Sequence, residues 1–300
     1  MILVRSADLF IYKFADLFIY RFVLVHVAAM GESCLWLLML VLVPYLCFAE
    51  PASAKTNTTS TSHRSVSGVV SCPAPRPCEC ERIPGRLVIN CRQQRLDRVP
   101  TFSRSDELVD ELTLADNRIV ELPNSAFRGL RVHRLDLKDN QLATVFPEAF
   151  SGLEPYLEDL LIQLDRKAEF PSRALVPLTL LRVLDVIGYG GASLPSGALA
   201  SLGLVRELRL TYGGLQRMTP NDVTAMRASL SVVDLSGNPL RGVPTAALAN
   251  LSNLTEVLLS GCQIASLGAR AFATNWTLLR RIDLSQNQLE VWIVKITVVT

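Results

Sequence analysis

The chain of 300 residues is 49% hydrophobic and 19% charged, with 30 Lys and Arg against 28 Asp and Glu. This length and apolar content allow a sizeable buried core. The near-neutral charge balance argues against a nucleic-acid-binding protein, which normally carries a basic excess.

The first 29 residues contain a short tandem copy. The segments Asp8–Phe14 and Asp16–Phe22 share one sequence except for a single change from Lys to Arg. A copy of this kind matches no fold signature. We therefore predict that residues 1–29 are a doubtful N-terminal extension and that the protein starts at Met30.

Residues 30–49 have the layout of a secretory signal peptide. An apolar stretch covers Leu35–Val43, and small residues follow that would allow cleavage after Ala49 or after Ala54. The alternative is an uncleaved signal anchor that starts near Phe22, but Glu32 and Pro44 interrupt that span. In both cases the remainder of the chain faces the outside of the cell.

Residues 50–71 are rich in Ser and Thr and lack an apolar period, which predicts a flexible leader. Asn57 in this leader begins an N-glycosylation motif. Four cysteines then fall within twenty residues, and either disulfides or a zinc site could use them. Their place after a signal-like segment favours disulfides, for which spacing alone permits three pairings. The four are Cys72, Cys78, Cys80 and Cys91.

An internal repeat covers most of the remaining chain. Its template is L-x-x-L-x-L-x-x-N-x-L-x-x-L, and successive copies start 23 to 25 residues apart. Eight units fit within residues 101–292. Their first positions are Val109, Val132, Leu157, Leu181, Val205, Leu230, Leu254 and Leu279.

The fourth and sixth positions of the units are apolar and mostly alternate with polar residues, which predicts a short strand with one buried face. One unit cannot close a core, so neighbouring units must stack. Their strands would then pair about 4.8 Å apart. The expected fold is an α/β solenoid with a parallel sheet on its concave side. A later apolar column fills the core beneath a mostly irregular convex side; it contains Phe127, Phe150, Leu175, Leu199, Val223, Leu248 and Phe272.

This pattern resembles the extracellular leucine-rich-repeat family, including ectodomains of the Slit, Toll and leucine-rich-repeat receptor kinds. The resemblance covers about residues 72–292 and implies a horseshoe-shaped solenoid. It also implies that residues 72–100 form a cysteine-rich N-terminal cap. By the same resemblance, Cys72 pairs with Cys80 and Cys78 pairs with Cys91.

In this family an inward Asn at the ninth position bonds the backbone where each strand turns. Asn117, Asn140, Asn238 and Asn287 keep that residue, and Cys262 can replace it as a small buried side chain. The third to fifth units depart from the pattern, so we expect them to be the least regular. Two explanations stay open, sequence drift or adaptation of shape to a partner. The departing ninth residues are Asp165, Tyr189 and Gly213, and Lys167 and Gly191 depart two positions later.

The second, third, fifth, seventh and eighth positions should point to solvent on the concave side, where leucine-rich-repeat proteins have room to vary. Arg and Tyr are over-represented among the residues that dominate interface energies. We therefore predict a set of residues that contact a protein ligand or receptor, with a matrix glycan as a further option. The set is Arg134, Lys138, Arg182, Arg206, Arg209 and Tyr212.

Three further N-glycosylation motifs begin at Asn250, Asn253 and Asn275, between predicted strands. Residues 293–300 interrupt the eighth unit and form an aberrant tail without a cysteine cap. We therefore expect a fragment of a longer protein, in which membrane attachment would depend on missing C-terminal sequence.

No nucleophile motif, phosphate loop or cofactor motif stands out. His63 lies in the leader, and His133 is expected to be a solvated strand residue rather than a catalytic one. We therefore expect neither an enzyme nor a bound metal or cofactor. The favoured function is recognition, adhesion or reception of a ligand outside the cell. The alternative is a structural component of the extracellular matrix.

Overall fold

The computed structural model describes residues 72–268, 271–272 and 276–289. Within this part, ten strands form one sheet in chain order, interrupted only where two short strands lie elsewhere. From β2 onward, each strand in the sheet runs parallel to the next, as expected for a solenoid of about eight turns. The strands of this sheet are β1 (Glu79–Ile83), β2 (Arg86–Asn90), β3 (Leu108–Thr113), β5 (Arg131–Leu142), β7 (Asp159–Leu164), β8 (Val183–Ile187), β9 (Glu207–Thr211), β10 (Val232–Asp234), β11 (Glu256–Leu258) and β12 (Arg281–Asp283).

The repeat columns become the rows of this sheet. Leu112 pairs with Leu135, and Leu135 pairs with Leu160, on three neighbouring strands. The fourth position stays in this row through β12, where Ile282 pairs with Val257. The α/β solenoid predicted from the repeat is thus confirmed, and one register holds from β3 to β12.

The core lies between the sheet and the connecting segments. The sixth-position side chains are buried in seven of the eight units, and the late Phe and Leu column lies behind them. Phe127 and Phe150 stack with ring centroids 6.1 Å apart, one unit above the other. These aromatic rings fill the space that the wide turn behind the sheet would otherwise leave open.

The connecting segments are short and largely irregular, as the sequence predicted. The helices here are single turns, with bounds Ser172–Leu175, Pro220–Val223 and Thr245–Leu248, and a 3-10 turn covers Thr224–Met226. The sequence pattern did not predict that β4 (Glu121–Leu122) and β6 (Thr144–Val145) form a small second parallel sheet. None of the described helices is long and apolar enough to cross a membrane.

The N-terminal cap supplies the first strands of the main sheet. β1 and β2 form an antiparallel hairpin through Gly85, whose positive φ of 78° suits a tight turn. β2 then pairs in parallel with β3, which places Ile89 beside Leu112. Disulfides join Cys72 to Cys80 and Cys78 to Cys91, the same pairs that the family resemblance implies.

Several of the sequence predictions lie outside the described residues. These are the extension at 1–29, the signal peptide at 30–49, the leader at 50–71 with Asn57, the acceptor Asn275 and the tail at 293–300. They remain predictions from the sequence.

Candidate functional site

The solvent side of the main sheet carries the predicted contact residues. We call this surface the sheet face and define it by the second, third, fifth, seventh and eighth positions of the eight units. Each third-position residue is partly or fully exposed, and each pairs with the next. This row contains Glu111, Arg134, Asp159, Val183, Glu207, Val232, Glu256 and Arg281.

Three of the six nominated residues are held in ion pairs between or along strands. Arg134 lies 3.0 Å from Asp159, Nη1 to Oδ2, and 3.7 Å from Glu111, Nε to Oε1. Arg209 lies 2.7 Å from the Oε2 atom of Glu207 on its own strand. Such half-exposed pairs contribute little to stability, but they fix the direction in which the guanidinium groups point.

Arg182 lies at the second position, at the edge of the sheet face, and its Nε atom is 2.6 Å from Oε2 of Glu158. His133 contacts the same carboxylate at 3.3 Å from its Nε2 atom. His133 therefore lies in a partly exposed polar cluster with Glu158 and Arg182, in line with the solvated position predicted for it. Within the described residues, Lys138 and Arg206 have no acidic partner within 4.0 Å.

Tyr212 is the most exposed large apolar residue of the described chain, with 66% of its surface accessible. It follows β9 in a left-handed conformation, with φ at 52°. Its ring lies across Gly237 of the next unit, because a Cβ atom built on that glycine would be 2.6 Å from Cδ1 of Tyr212. Because Gly237 has no side chain, the Tyr212 ring can lie against its backbone at the edge of the sheet face.

The expectation that all these positions point to solvent is wrong for several residues. Leu161 and Asp185 at the fifth position, and Thr211 at the seventh, are almost fully buried. Asp185 was not among the nominated residues, since a repeat column gives a position but not the neighbours that cover it.

The ninth-position asparagines bond the backbone where the strands turn, as the family resemblance implies. We call this column of side chains the ladder. Asn140 is 1% exposed, and its Nδ2 group donates to the carbonyl oxygens of Leu114, Leu137 and Lys138. Its Oδ1 atom accepts a hydrogen bond from the amide of Ile119. One side chain thus satisfies buried backbone groups on adjacent units, which would otherwise destabilise the turn.

The ladder is interrupted in the third to fifth units. Asp165 is exposed, and its Oδ1 atom accepts from the amide of Lys167 rather than from the interior. Tyr189 is half-buried, packs edge-on against Phe170 and donates its hydroxyl to the carbonyl of Ser193. The strands nevertheless keep their pairing here, so the predicted irregularity is confined to the turns that follow them.

Cys262 takes the ladder position in the seventh unit. Its Sγ atom lies 3.2 Å from the carbonyl oxygen of Leu235, and the residue is fully buried. Burial raises the pKa of the Cys262 thiol to about 11. A thiol in this state is a poor nucleophile, which fits a structural role.

The two described glycosylation acceptors differ in their surroundings. Asn250 is exposed after the helix Thr245–Leu248. Asn253 is half-buried, and its Nδ2 group donates to the carbonyl oxygen of Ala228 at 2.7 Å. Nδ2 is the atom that would carry a sugar, so glycosylation at Asn253 would remove this contact between units.

We therefore expect Asn250, and not Asn253, to carry a glycan when the chain is expressed through a secretory pathway. Asn250→Gln should remove one glycan mass, whereas Asn253→Gln should leave the glycan mass unchanged. Mass spectrometry of glycopeptides from the secreted chain measures both. Full occupancy of Asn253 in correctly folded protein would contradict this expectation.

The part of the chain that the structure describes contains no cluster of three or more metal-ligating side chains. The four cap cysteines are used in disulfides. The sheet face carries paired charges, the basic residues Lys138 and Arg206 without an acidic group within 4.0 Å among the described residues, and the exposed ring of Tyr212.

Comparison with known families gives two matches. Residues 107–163 match a model described as "Leucine rich repeat", and residues 229–251 match a second model described as "Leucine Rich Repeat". No curated protein matches the chain. The two matched segments, set on a solenoid of parallel strands, support a leucine-rich-repeat protein.

Proposed function

We propose that the chain is an extracellular recognition module and that its sheet face binds a protein ligand or receptor. The observation that carries this proposal is the register of the third-position row. Eight side chains from eight neighbouring, paired strands form one row that is partly or fully exposed. A preformed surface of this kind can bind a folded partner without the entropy cost of ordering its own backbone.

Three features support a place outside the cell. The cap contains two disulfides, which persist in oxidising compartments. The sequence before the cap resembles a signal peptide, and the repeats contain N-glycosylation motifs. Asn250, the best exposed of the described acceptors, lies in a connecting segment rather than in a strand, so a glycan there would leave the sheet face open.

The charge pattern supports a partner with mixed or acidic character. Arg206 and Lys138 have no acidic neighbour within 4.0 Å among the described residues, and Tyr212 offers a large exposed ring. Aromatic and Arg side chains of this kind often dominate the energy of interfaces. A matrix glycan would contact the basic residues only, whereas a protein would also cover the tyrosine.

The proposal predicts that charge reversal on the sheet side weakens binding and that the same change behind it does not. The full secreted chain is screened against a panel of cell-surface ectodomains, and the affinity of each hit is measured by biolayer interferometry. The double variant R182E/R206E should bind at least about tenfold more weakly, because like charges would then face the partner.

The matched control is R173E/R227E, which makes the same charge change at two exposed residues of the connecting segments. It should bind as the unaltered chain does. Equal loss in both variants would contradict a site on the sheet face. Complete competition by free heparan sulfate together with unchanged binding of Tyr212→Ala would instead favour the matrix role.

A further inference from the structure

The carboxylate of Asp185 is buried in the middle of the sheet face, with 8% of the residue exposed. It lies on β8 between Leu161 of β7 and Arg209 of β9, which are its register partners. Val183 and Ile187 flank it along its own strand and point to the same face. A carboxyl group thus lies almost fully covered on the sheet face, among neighbours that are largely apolar.

No basic group within 4.0 Å and no hydrogen-bond donor partners this carboxylate among the described residues. The nearby guanidinium groups pair with other carboxylates, Arg134 with Asp159 and Arg209 with Glu207, and the ammonium group of Lys138 acts on Asp185 only from beyond 4.0 Å. The other aspartates of the fifth position each accept a backbone N–H two residues later. Those bonds join Asp136 to Lys138, Asp234 to Ser236 and Asp283 to Ser285.

A buried carboxylate without a partner is unfavourable, and native proteins rarely keep one unless it has a use. A cationic side chain of a partner that packs over the middle strands would supply the missing partner. Its aliphatic stem would lie against Leu161, Val183 and Ile187, as the stems of long basic side chains commonly do on apolar surface. Guanidinium is the more weakly hydrated of the two common cations, which favours arginine over lysine in a buried pair.

We propose that Asp185 is the anchoring site for an arginine side chain of the protein ligand. This inference rests on the proposed function and adds the chemistry of one contact. It assigns to the partner an exposed arginine, and it places that arginine over the middle strands of the sheet.

Ionisation of the anchor should couple binding to pH. Burial is the largest influence and raises the pKa of the Asp185 carboxyl. An arginine binds the ionised form, so its affinity should increase as the pH rises through this raised pKa. The charged groups that act on the carboxyl are Lys138 and Arg209, which lower its pKa, and Asp234 and Asp136, which raise it; Asp159 and Glu207 are the nearest third-position acids.

The test uses a small probe, N-acetyl-arginine amide, with the full secreted chain. Methyl NMR should show shifts at Val183 and Ile187, and Asp185→Asn should weaken binding of the probe by about tenfold or more, as expected for loss of a charge-assisted contact. The neutral isostere N-acetyl-citrulline amide should bind the unaltered chain no more tightly than the arginine probe binds Asp185→Asn. N-acetyl-lysine amide should bind less tightly than the arginine probe.

The matched control is Asp283→Asn, at the same position of the last described strand, where the carboxylate already accepts the amide of Ser285. It should leave binding of the probe unchanged. Equal affinity of the arginine probe for Asp185→Asn and the unaltered chain would overturn the inference, and so would equal binding of citrulline.

A second measurement is independent of any ligand. Removing an unpartnered buried charge should make Asp185→Asn more resistant to urea than the unaltered chain at pH 7. Burial raises the folded-state pKa of Asp185, so the free-energy cost of keeping its ionised carboxylate buried is present at neutral pH. The penalty disappears as the pH falls below the ordinary aspartate range, near about 4.

A less stable Asp185→Asn at pH 7 would show that the carboxylate already has a partner and would overturn the inference. If the arginine probe fails while R182E/R206E still weakens an ectodomain complex, only the anchor is refuted. If both fail, the proposed function is refuted as well.

Discussion

Asn140→Ala is expected to lower the free energy of unfolding by about 3 kcal/mol, because it removes the partner of four buried backbone groups. The carbonyl oxygens of Leu114, Leu137 and Lys138 and the amide of Ile119 all bond to this one side chain. Truncation also leaves a cavity in a packed interior. Urea denaturation followed by circular dichroism measures the change.

The control for this change is Asp165→Ala, at the same ninth position one unit later. Asp165 is exposed, and its single bond to the amide of Lys167 lies at the surface. The loss should be about 0.5 kcal/mol or less, which is usual for a surface substitution. If both variants unfold at the same urea concentration, the ladder does not stabilise the solenoid in the way described.

The row structure of the sheet could be predicted from the sequence because it depends on spacing alone. An apolar column that recurs every 23 to 25 residues can only be buried if each unit pairs with the next in one register. That argument placed Leu112, Leu135 and Leu160 side by side, and the structure pairs them. It also aligned the third-position row that contains Arg134.

Other features could not be predicted because they depend on which neighbours cover a side chain. The fifth position holds Asp136, Asp185 and Asp234, and nothing in the repeat distinguishes them. Only the sheet shows that Asp185 lies beside the buried Leu161 and lacks a backbone donor. The ion pairs of Arg134 and Arg209 likewise require the strand register before opposite charges can be matched.

The cap is an intermediate case. Its cysteine spacing left three pairings open, and the family resemblance narrowed them to one. Neither argument indicated that β2 extends the main sheet, since Leu87, Ile89 and Cys91 have no place in the repeat template. In the structure they alternate inward as the fourth and sixth positions do, so the cap continues the core of the first unit.

Gly213→Ala is expected to lower the free energy of unfolding by about 2 kcal/mol, because its backbone passes too close to the preceding unit for a side chain. A Cβ atom at this position would lie 2.2 Å from the carbonyl oxygen of Tyr189 and 3.1 Å from Oδ1 of Asn238. The first neighbour is backbone and cannot rotate away. Urea denaturation of the variant measures the loss, which arises because the segments that follow β8 and β9 would have to move apart.

Gly242→Ala is the matched control, since a Cβ atom there meets no heavy atom within 4 Å. It should be neutral or stabilise by up to about 1 kcal/mol, because alanine restricts the unfolded chain. A tolerated Gly213→Ala would mean that the middle units have drifted without constraint. The expected loss would show instead that glycine at this ladder position is required for the close stacking of the units that contain Tyr189 and Asn238.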